Sequence, residues 1–136
     1  MISDNAAFDE FISEYRWASL TTLRSSGSPV SSLVAYARDG DELVVSTPGS
    51  AFKSKSIERD SRVNLCIFNN EEPFNFVSIE GRARIERQDL VRNTRLVFQS
   101  IQDTDFQEPE DLEGWLQDQQ RVIIRIIPER VYGVIR

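Results

Sequence analysis

The chain has 136 residues, a formal net charge of −6, one cysteine and no histidine. This length predicts a single domain over residues 1–136, and no apolar run approaches the ~20 residues that a membrane helix needs. The acidic balance argues against general nucleic-acid binding, which depends on a basic surface. Because histidine is absent and Cys66 stands alone, the usual ligands of a transition metal are missing and no metal site is expected.

The N-terminal segment has no basic start followed by an apolar stretch, and a single cysteine cannot form an internal disulfide. Both features argue against secretion, so we expect a cytoplasmic protein. Histidine is also the commonest general base in enzymes. An enzyme built from this chain would therefore need a bound cofactor to carry its reactive chemistry.

The hydrophobic pattern predicts a mainly β chain with helices at its periphery. Asn5 can cap a first helix, and further helices are expected at about 51–59, from Asp89 onward, and at about 112–119. Strands are expected at residues 17–23, 30–37, 43–47, 62–68, 74–86, 121–127 and 131–135. The break between the last two strands is placed at Pro128, because proline cannot donate a ladder hydrogen bond.

Strands joined by hairpins, such as the one marked by Asp39 and Gly40, favour an antiparallel sheet over a parallel one. We therefore expect an antiparallel β-barrel of six or seven strands with peripheral helices. So many strands in so short a chain leave apolar faces that need a cover. A homodimer that covers one face of the barrel is the expected solution.

The strongest chemical signal lies in residues 46–62. Ser46 and Thr47 end a strand, a Pro-Gly-Ser turn follows, and a helix begins at once. Free backbone amides and the dipole at a helix start attract anions, and the hydroxyls of Thr47 and Ser50 can add hydrogen-bond donors. Residues 53–62 also contain four basic side chains against two acidic ones, a net of +2, from Lys53, Lys55, Arg59, Arg62, Glu58 and Asp60.

A basic island on an acidic chain is typical of a site for an anionic small molecule. The same pattern is also common where a helix merely presents charged side chains to water. The residues of this segment by themselves leave both interpretations open.

Several short motifs, taken in order, resemble one known family over residues 17–132. They are ASLTTL at 18–23 with GSP at 27–29, ST at 46–47 with Lys53 six residues after the threonine, DSRVNL at 60–65, PFNFV at 73–77, EGRA at 80–83, VIIRI at 122–126 and PERVYG at 128–133. The chain resembles the pyridoxamine-phosphate-oxidase-like flavin split barrels, and above all their short branch that depends on the deazaflavin coenzyme F-420. The resemblance implies an FMN-binding split barrel that works as a homodimer with the cofactor at the subunit interface.

The resemblance also implies positions for the cofactor. The second strand would lie against the flavin ring, and the third strand with the following helix would hold the phosphate. The cofactor-binding residues implied in this way are Ser31, Ser32, Leu33, Val34, Ser46, Thr47, Ser50, Ala51, Phe52, Lys53 and Lys55. Residues of the substrate side or of the partner chain would be Phe74, Phe76, Arg125, Arg130 and Tyr132. Arg59 and Arg62 would assist with the acidic tail of F-420.

Departures from the family pattern limit which of the family's functions we expect for this chain. Ser32 stands where the vitamin-processing oxidases have an arginine, and the chain lacks the histidine of their C-terminal motif, so oxidation of pyridoxine phosphate is not expected. Ala51 replaces a usual hydroxyl, for which Ser50 could compensate. Phe74 and Phe76 stand where the deazaflavin branch often has tyrosines.

The function expected from the resemblance is an F-420-dependent reductase that transfers hydride to a small unsaturated or conjugated substrate. Two alternatives stay open at this point. One is an FMN-dependent oxidoreductase of the same fold, and the other is a protein that binds or stores a flavin without turnover. A fold of this kind does not by itself decide between them.

Overall fold

A computed structural model describes residues 1–136. No helix in it has the length and apolar character that crossing a membrane requires. The chain forms four helices, which are α1 (Ala6–Glu14), α2 (Phe52–Arg59), α3 (Leu90–Ser100) and α4 (Leu112–Asp118). It forms seven strands, which are β1 (Trp17–Leu23), β2 (Pro29–Ala35), β3 (Ala37–Asp39), β4 (Glu42–Pro48), β5 (Arg62–Phe68), β6 (Phe76–Glu86) and β7 (Arg121–Val134).

The seven strands form one antiparallel sheet in the order β2-β1-β5-β6-β7-β4-β3. Its two edge strands, β2 and β3, follow each other in the chain with only Tyr36 between them. The sheet must therefore curl until its edges meet, which produces a half-barrel. The Tyr36 hydroxyl donates a hydrogen bond of 2.8 Å to the carbonyl of Ile12, which ties α1 to this junction. The expected mainly β antiparallel barrel is confirmed.

Side chains alternate between the two faces of strands β1, β5 and β6. Ala18, Leu20, Leu65 and Ile67 point into the half-barrel and are almost completely buried. The opposite side, which we call the outer face, carries a row of cross-strand neighbours: Leu33, Ser19, Cys66, Ser78 and Tyr132. No other element of the chain covers the ends of this row, since Leu33 is 71% exposed and Tyr132 is 43% exposed.

The expected break of the last strand at Pro128 is wrong. β7 runs without interruption from Arg121 to Val134 and pairs with β6 along most of its length, while its first half also pairs with β4. The proline is accommodated by a bulge: Glu80 pairs with Arg130 and Gly81 with Pro128, so Glu129 on β7 has no partner on β6. A Cβ at Gly81 would lie 2.3 Å from the carbonyl oxygen of Ile127, so only glycine permits this close approach.

An ion network locks α3 to the sheet. The guanidinium of Arg125, on β7, is buried and donates to the carboxylates of Asp39, Glu42 and Glu86 at 3.0–3.1 Å. It also donates to the amide oxygen of Asn93 on α3 at 3.1 Å. The guanidinium of Arg125 and its acceptors are all hydrogen-bonded to one another. Because Asn93 of α3 belongs to this cluster, the cluster fixes the position of α3 over this half of the sheet.

We expect Asp39→Asn to destabilise the fold by about 2 kcal/mol at pH 7, because two arginines would lose a charged acceptor. Hydrogen bonds from Arg92 and then from Arg125 lower the pKa of Asp39 to about 2. The stabilisation by this carboxylate is thus complete above its unfolded pKa of about 4 and is lost as the pH falls from there towards 2. Urea unfolding of both proteins should show their difference shrinking over that window.

Asp105→Asn provides the control, since Asp105 is exposed and forms no ion pair. We expect it to unfold like the unmodified protein at pH 7 and also as the pH falls from about 4 towards 2. Equal stability of Asp39→Asn and the unmodified protein at pH 7 would show that the network does not hold α3 in place.

Candidate functional site

Several basic side chains around α2 have no acidic partner. Nine of the sixteen lysine and arginine side chains of the chain lie within 4.0 Å of a carboxylate. The side chains near α2 that form no such pair are Arg24, Lys53, Lys55, Arg59 and Arg121. On a chain of net charge −6, a local surplus of unpaired cations indicates a binding site for an anion.

Two cavities meet at Lys53. The first, which we call the aromatic cavity, has a volume of about 410 Å³ and is walled by the aromatic rings of Trp17, Phe98, Phe106 and Trp115. The second, which we call the serine cavity, has a volume of about 390 Å³ and is lined by residues that include Ser31, Ser32 and Phe52. Because Lys53 lines both, this residue lies at the junction of an apolar and a polar compartment.

The two cations of the aromatic cavity are poorly solvated. Burial, and then repulsion from Arg121, lowers the pKa of Lys53. Burial also lowers the pKa of Arg121. The protein therefore carries the cost of two half-buried like charges without a carboxylate to offset it. An anion that enters this cavity would relieve both the desolvation and the repulsion.

Arg121, at the start of β7, is held by neutral partners only. Its Nε and one terminal nitrogen donate to the hydroxyl and the carbonyl of Ser46 at 3.2 and 3.1 Å, and the other terminal nitrogen donates to Gln119 at 2.8 Å. Its guanidinium carbon lies 4.4 Å from the ring centroid of Trp115, a cation–π contact. These contacts fix the guanidinium in place but leave its charge unneutralised.

Among the residues that line the two cavities, two carry a buried hydroxyl without a hydrogen-bond partner. Thr47 lines the aromatic cavity and Thr22 lines the serine cavity, and both are 1% exposed with no hydrogen bond to their Oγ1 atoms. Both oxygen atoms are themselves inaccessible, and the buried hydroxyls of Ser56 and Thr94, which line neither cavity, lack partners as well, so these hydroxyls do not by themselves indicate a ligand. The combination of unpaired cations and apolar walls fits a phosphate-bearing aromatic molecule such as a flavin or deazaflavin.

The start of α2 differs in detail from the expectation. Its N-cap residue is Ala51, whose side chain makes no capping hydrogen bond, and Phe52 is the first helical residue. Ser50 is exposed in the preceding turn and lines neither cavity, so it does not compensate for Ala51. The hydroxyl of Ser54 instead donates to the carbonyl of Pro48 at 3.0 Å and closes the turn.

The two cavities bring together eight of the eleven residues predicted to bind a cofactor. These are Ser31, Ser32, Leu33, Val34, Ser46, Thr47, Phe52 and Lys53. Ser50, Ala51 and Lys55 lie beside the cavities without lining them. Arg62 is already paired with Asp60 at 2.8 Å, which leaves Arg59 as the unpaired cation of the two predicted to assist with an acidic tail.

The residues predicted for the substrate side or the partner chain do not form one group. The outer face carries Phe76, Arg130 and Tyr132. Phe74 is exposed in the loop that precedes β6. The placement of Arg125 in this group is wrong, because its guanidinium is engaged by three carboxylates inside its own subunit. It faces α3, and no donor of it is directed towards the outer face or the two cavities.

The sequence did not single out Arg121 or the rings contributed by α3 and α4. Arg121 reaches the site only because it pairs with Pro48 in the β4–β7 ladder, which joins positions more than 70 residues apart. Strand order is the signal that would have found it, and local patterns do not contain that order.

The largest cavity of the chain, about 750 Å³, lies elsewhere, in a groove between α3 and α4. Its arginines are already paired: Arg87 with Glu58, Arg92 with Asp39 and Arg95 with Glu108. A groove whose cations are neutralised within the chain offers little to an anionic ligand. The cleft at Lys53 is therefore the stronger candidate.

Comparison with known proteins identifies the fold and the family. The chain is 29% identical over 133 residues to the F420H(2)-dependent biliverdin reductase of Mycobacterium tuberculosis (strain CDC 1551 / Oshkosh), an alignment that covers 97% of this chain and 88% of that protein. In three dimensions it is similar to the conserved hypothetical protein Rv2991 of Mycobacterium tuberculosis, with a TM-score of 0.79, 23% identity, and coverage of 96% of this chain and 84% of the other.

A second solved structure, named F420 reductase, has a TM-score of 0.73 and 18% identity and covers 91% of this chain and 94% of its own. At this level of identity the two structures establish the fold. The sequence profile of one family, described as pyridoxamine 5'-phosphate oxidase, matches residues 5–135. Because this match covers nearly the whole chain, the chain belongs to the pyridoxamine 5'-phosphate oxidase family.

Proposed function

We propose that this protein is an oxidoreductase that uses the deazaflavin coenzyme F-420 and reduces a small unsaturated or conjugated substrate. The observation that carries the proposal is the position of Lys53, an unpaired, half-buried cation at the junction of the aromatic and serine cavities. A flavin-type cofactor has a flat apolar ring and a phosphate, and these two parts match the two compartments. The relative that is named an F420H(2)-dependent biliverdin reductase supports the choice of F-420.

The chain's residues would divide the work of holding the cofactor. Lys53 would neutralise the phosphate. The backbone of Leu33 and Val34 on β2 would lie along the ring. Bound F-420 in its reduced form supplies a hydride, so the protein itself needs no histidine or reactive thiol. Burial raises the pKa of Cys66, which agrees with a packing role for that residue.

The acidic tail of F-420 distinguishes it from FMN, and the cations that line or flank the serine cavity suit that tail. Arg24 lines this cavity and stacks over Phe52 at 5.9 Å, and neither Arg24 nor Arg59 has a carboxylate partner. FMN would use Lys53 but would leave both arginines without a role. Ser32 and the absence of histidine argue against oxidation of pyridoxine phosphate, despite the name of the family.

We further propose that the chain works as a homodimer that pairs through the outer face. Leu33, Tyr132 and Val134 are each more than 40% exposed on this face. Trp17 and Leu33 belong to the outer face and also line the aromatic cavity. A partner chain on this face would bury these side chains and would close the cavity from that side, at the subunit interface.

A turnover role is favoured over mere storage by the aromatic cavity. Its apolar walls extend from β2 to α3 and α4, beyond the strand against which the ring would lie. That space would admit a substrate beside the ring. A storage protein would need no such room.

Lys53→Ala should weaken F-420 binding by about tenfold or more, because the phosphate would lose its only cation at the cavity junction. The dissociation constant can be measured from the fluorescence of the coenzyme. Lys55→Ala removes the same charge from the exposed side of the same helix and should cost less than about threefold.

Arg84→Ala is the control for overall charge, since Arg84 is exposed on β6 and lines neither cavity. It should bind F-420 like the unmodified protein. Unchanged affinity of Lys53→Ala would remove the central support for the proposal.

Val134→Arg should convert the dimer to a monomer, because two added cations would be buried against each other across the interface. Gln117→Arg, which adds the same charge on the exposed surface of α4, should remain dimeric. Sedimentation equilibrium gives the mass of each species. A monomeric unmodified protein, or a dimeric Val134→Arg variant, would contradict pairing through the outer face.

A further inference from the structure

We infer that Arg121 is a second anion-binding group of the cleft, which selects an acceptor that is flat, conjugated and acidic. The inference rests on the proposed function, in which Lys53 holds the phosphate of the cofactor. It concerns the remaining cation of the aromatic cavity and the class of molecule that would pair with it.

The guanidinium of Arg121 has donors to spare. An arginine carries five N–H groups, and the contacts with Ser46 and Gln119 use three of them. Two N–H groups therefore stay free at a position that the stacking on Trp115 holds still. A fixed planar fork with free donors is suited to a carboxylate.

The cofactor phosphate would not satisfy both cations. The phosphate of F-420 is a diester with one negative charge, which the single charge of Lys53 matches. Arg121 lines the aromatic cavity and not the serine cavity, whereas Lys53 lines both. The charge of Arg121 is thus left for a group that enters from the aromatic side.

The walls of the aromatic cavity indicate the chemical nature of the rest of that ligand. Two edge-to-face pairs, Trp17 with Phe106 at 6.0 Å and Phe98 with Trp115 at 5.6 Å between ring centroids, line it. Aromatic walls favour a planar conjugated body through offset or edge-on packing. A conjugated body is also what a hydride donor can reduce. The geometry points to a planar conjugated carboxylic acid as the acceptor.

The test uses anthracene-2-carboxylate and its uncharged methyl ester as matched probes. Their binding is measured from probe fluorescence, with the free protein and with the protein saturated with F-420. The unmodified protein should bind the carboxylate about tenfold or more tightly than the ester. Arg121→Gln should lower this ratio to about one without a comparable loss of affinity for the ester.

Three further measurements distinguish carboxylate binding by Arg121 from a general effect of charge and from a loss of folding. Arg121→Lys keeps the charge without the planar fork, and it should retain part of the preference for the carboxylate. Arg84→Gln, which removes an exposed cation far from the cavity, should retain all of it. Thermal unfolding of each variant, with F-420 affinity, reports whether the cleft is still folded.

A carboxylate preference that survives in Arg121→Gln would overturn the inference. So would a loss of F-420 affinity in Arg121→Gln as large as that in Lys53→Ala, because Arg121 would then belong to the phosphate site. Failure of the proposed function has its own signature, which is the absence of F-420 binding by the unmodified protein. In that case the assignment of the probe site to an acceptor fails with it.

Discussion

The candidate site depends on one constraint: two half-buried cations share the aromatic cavity, and no carboxylate neutralises them. Lys53 and Arg121 repel each other, and both have a lowered pKa because burial removes their water. The chain has more acidic than basic residues and pairs most of its other arginines. That it leaves these two unpaired is most simply explained by an anionic ligand that completes the site.

The sheet shows how the same residue type can serve two purposes. Arg121 and Arg125 lie on the same face of β7, four residues apart. Three carboxylates and Asn93 surround Arg125, which consequently stabilises the packing of α3 on the sheet. Arg121 meets only a hydroxyl, a carbonyl, an amide and the ring of Trp115. One arginine holds the wall of the cavity in place, and the other remains available to a ligand.

Local sequence patterns were enough to predict most of the helices and strands. Of the candidate site, the residues on β2, β4 and α2 were predicted, whereas Arg121 and the rings of α3 and α4 were not. Alternating apolar residues predicted the strands. The strand-turn-helix segment left an anion site and a solvated helix face both open, and the resemblance to the family is what pointed to Lys53. The continuity of β7 past Pro128 depends on the bulge at Glu129 and on Gly81, which lies opposite the proline on β6, and local patterns do not contain that pairing. Arg121 was missed, and Arg125 was assigned to the wrong group, because the partners of both are distant in sequence.

The central claim is that the cleft at Lys53 recognises a phosphate-bearing flavin or deazaflavin. The most direct measurement compares four ligands under one set of conditions: F-420, its phosphate-free deazaflavin chromophore, FMN and riboflavin. We expect each phosphate-bearing molecule to bind about tenfold or more tightly than its phosphate-free counterpart, and F-420 to bind most tightly of all. Equal affinities within each pair, or no binding of any of the four, would contradict this claim.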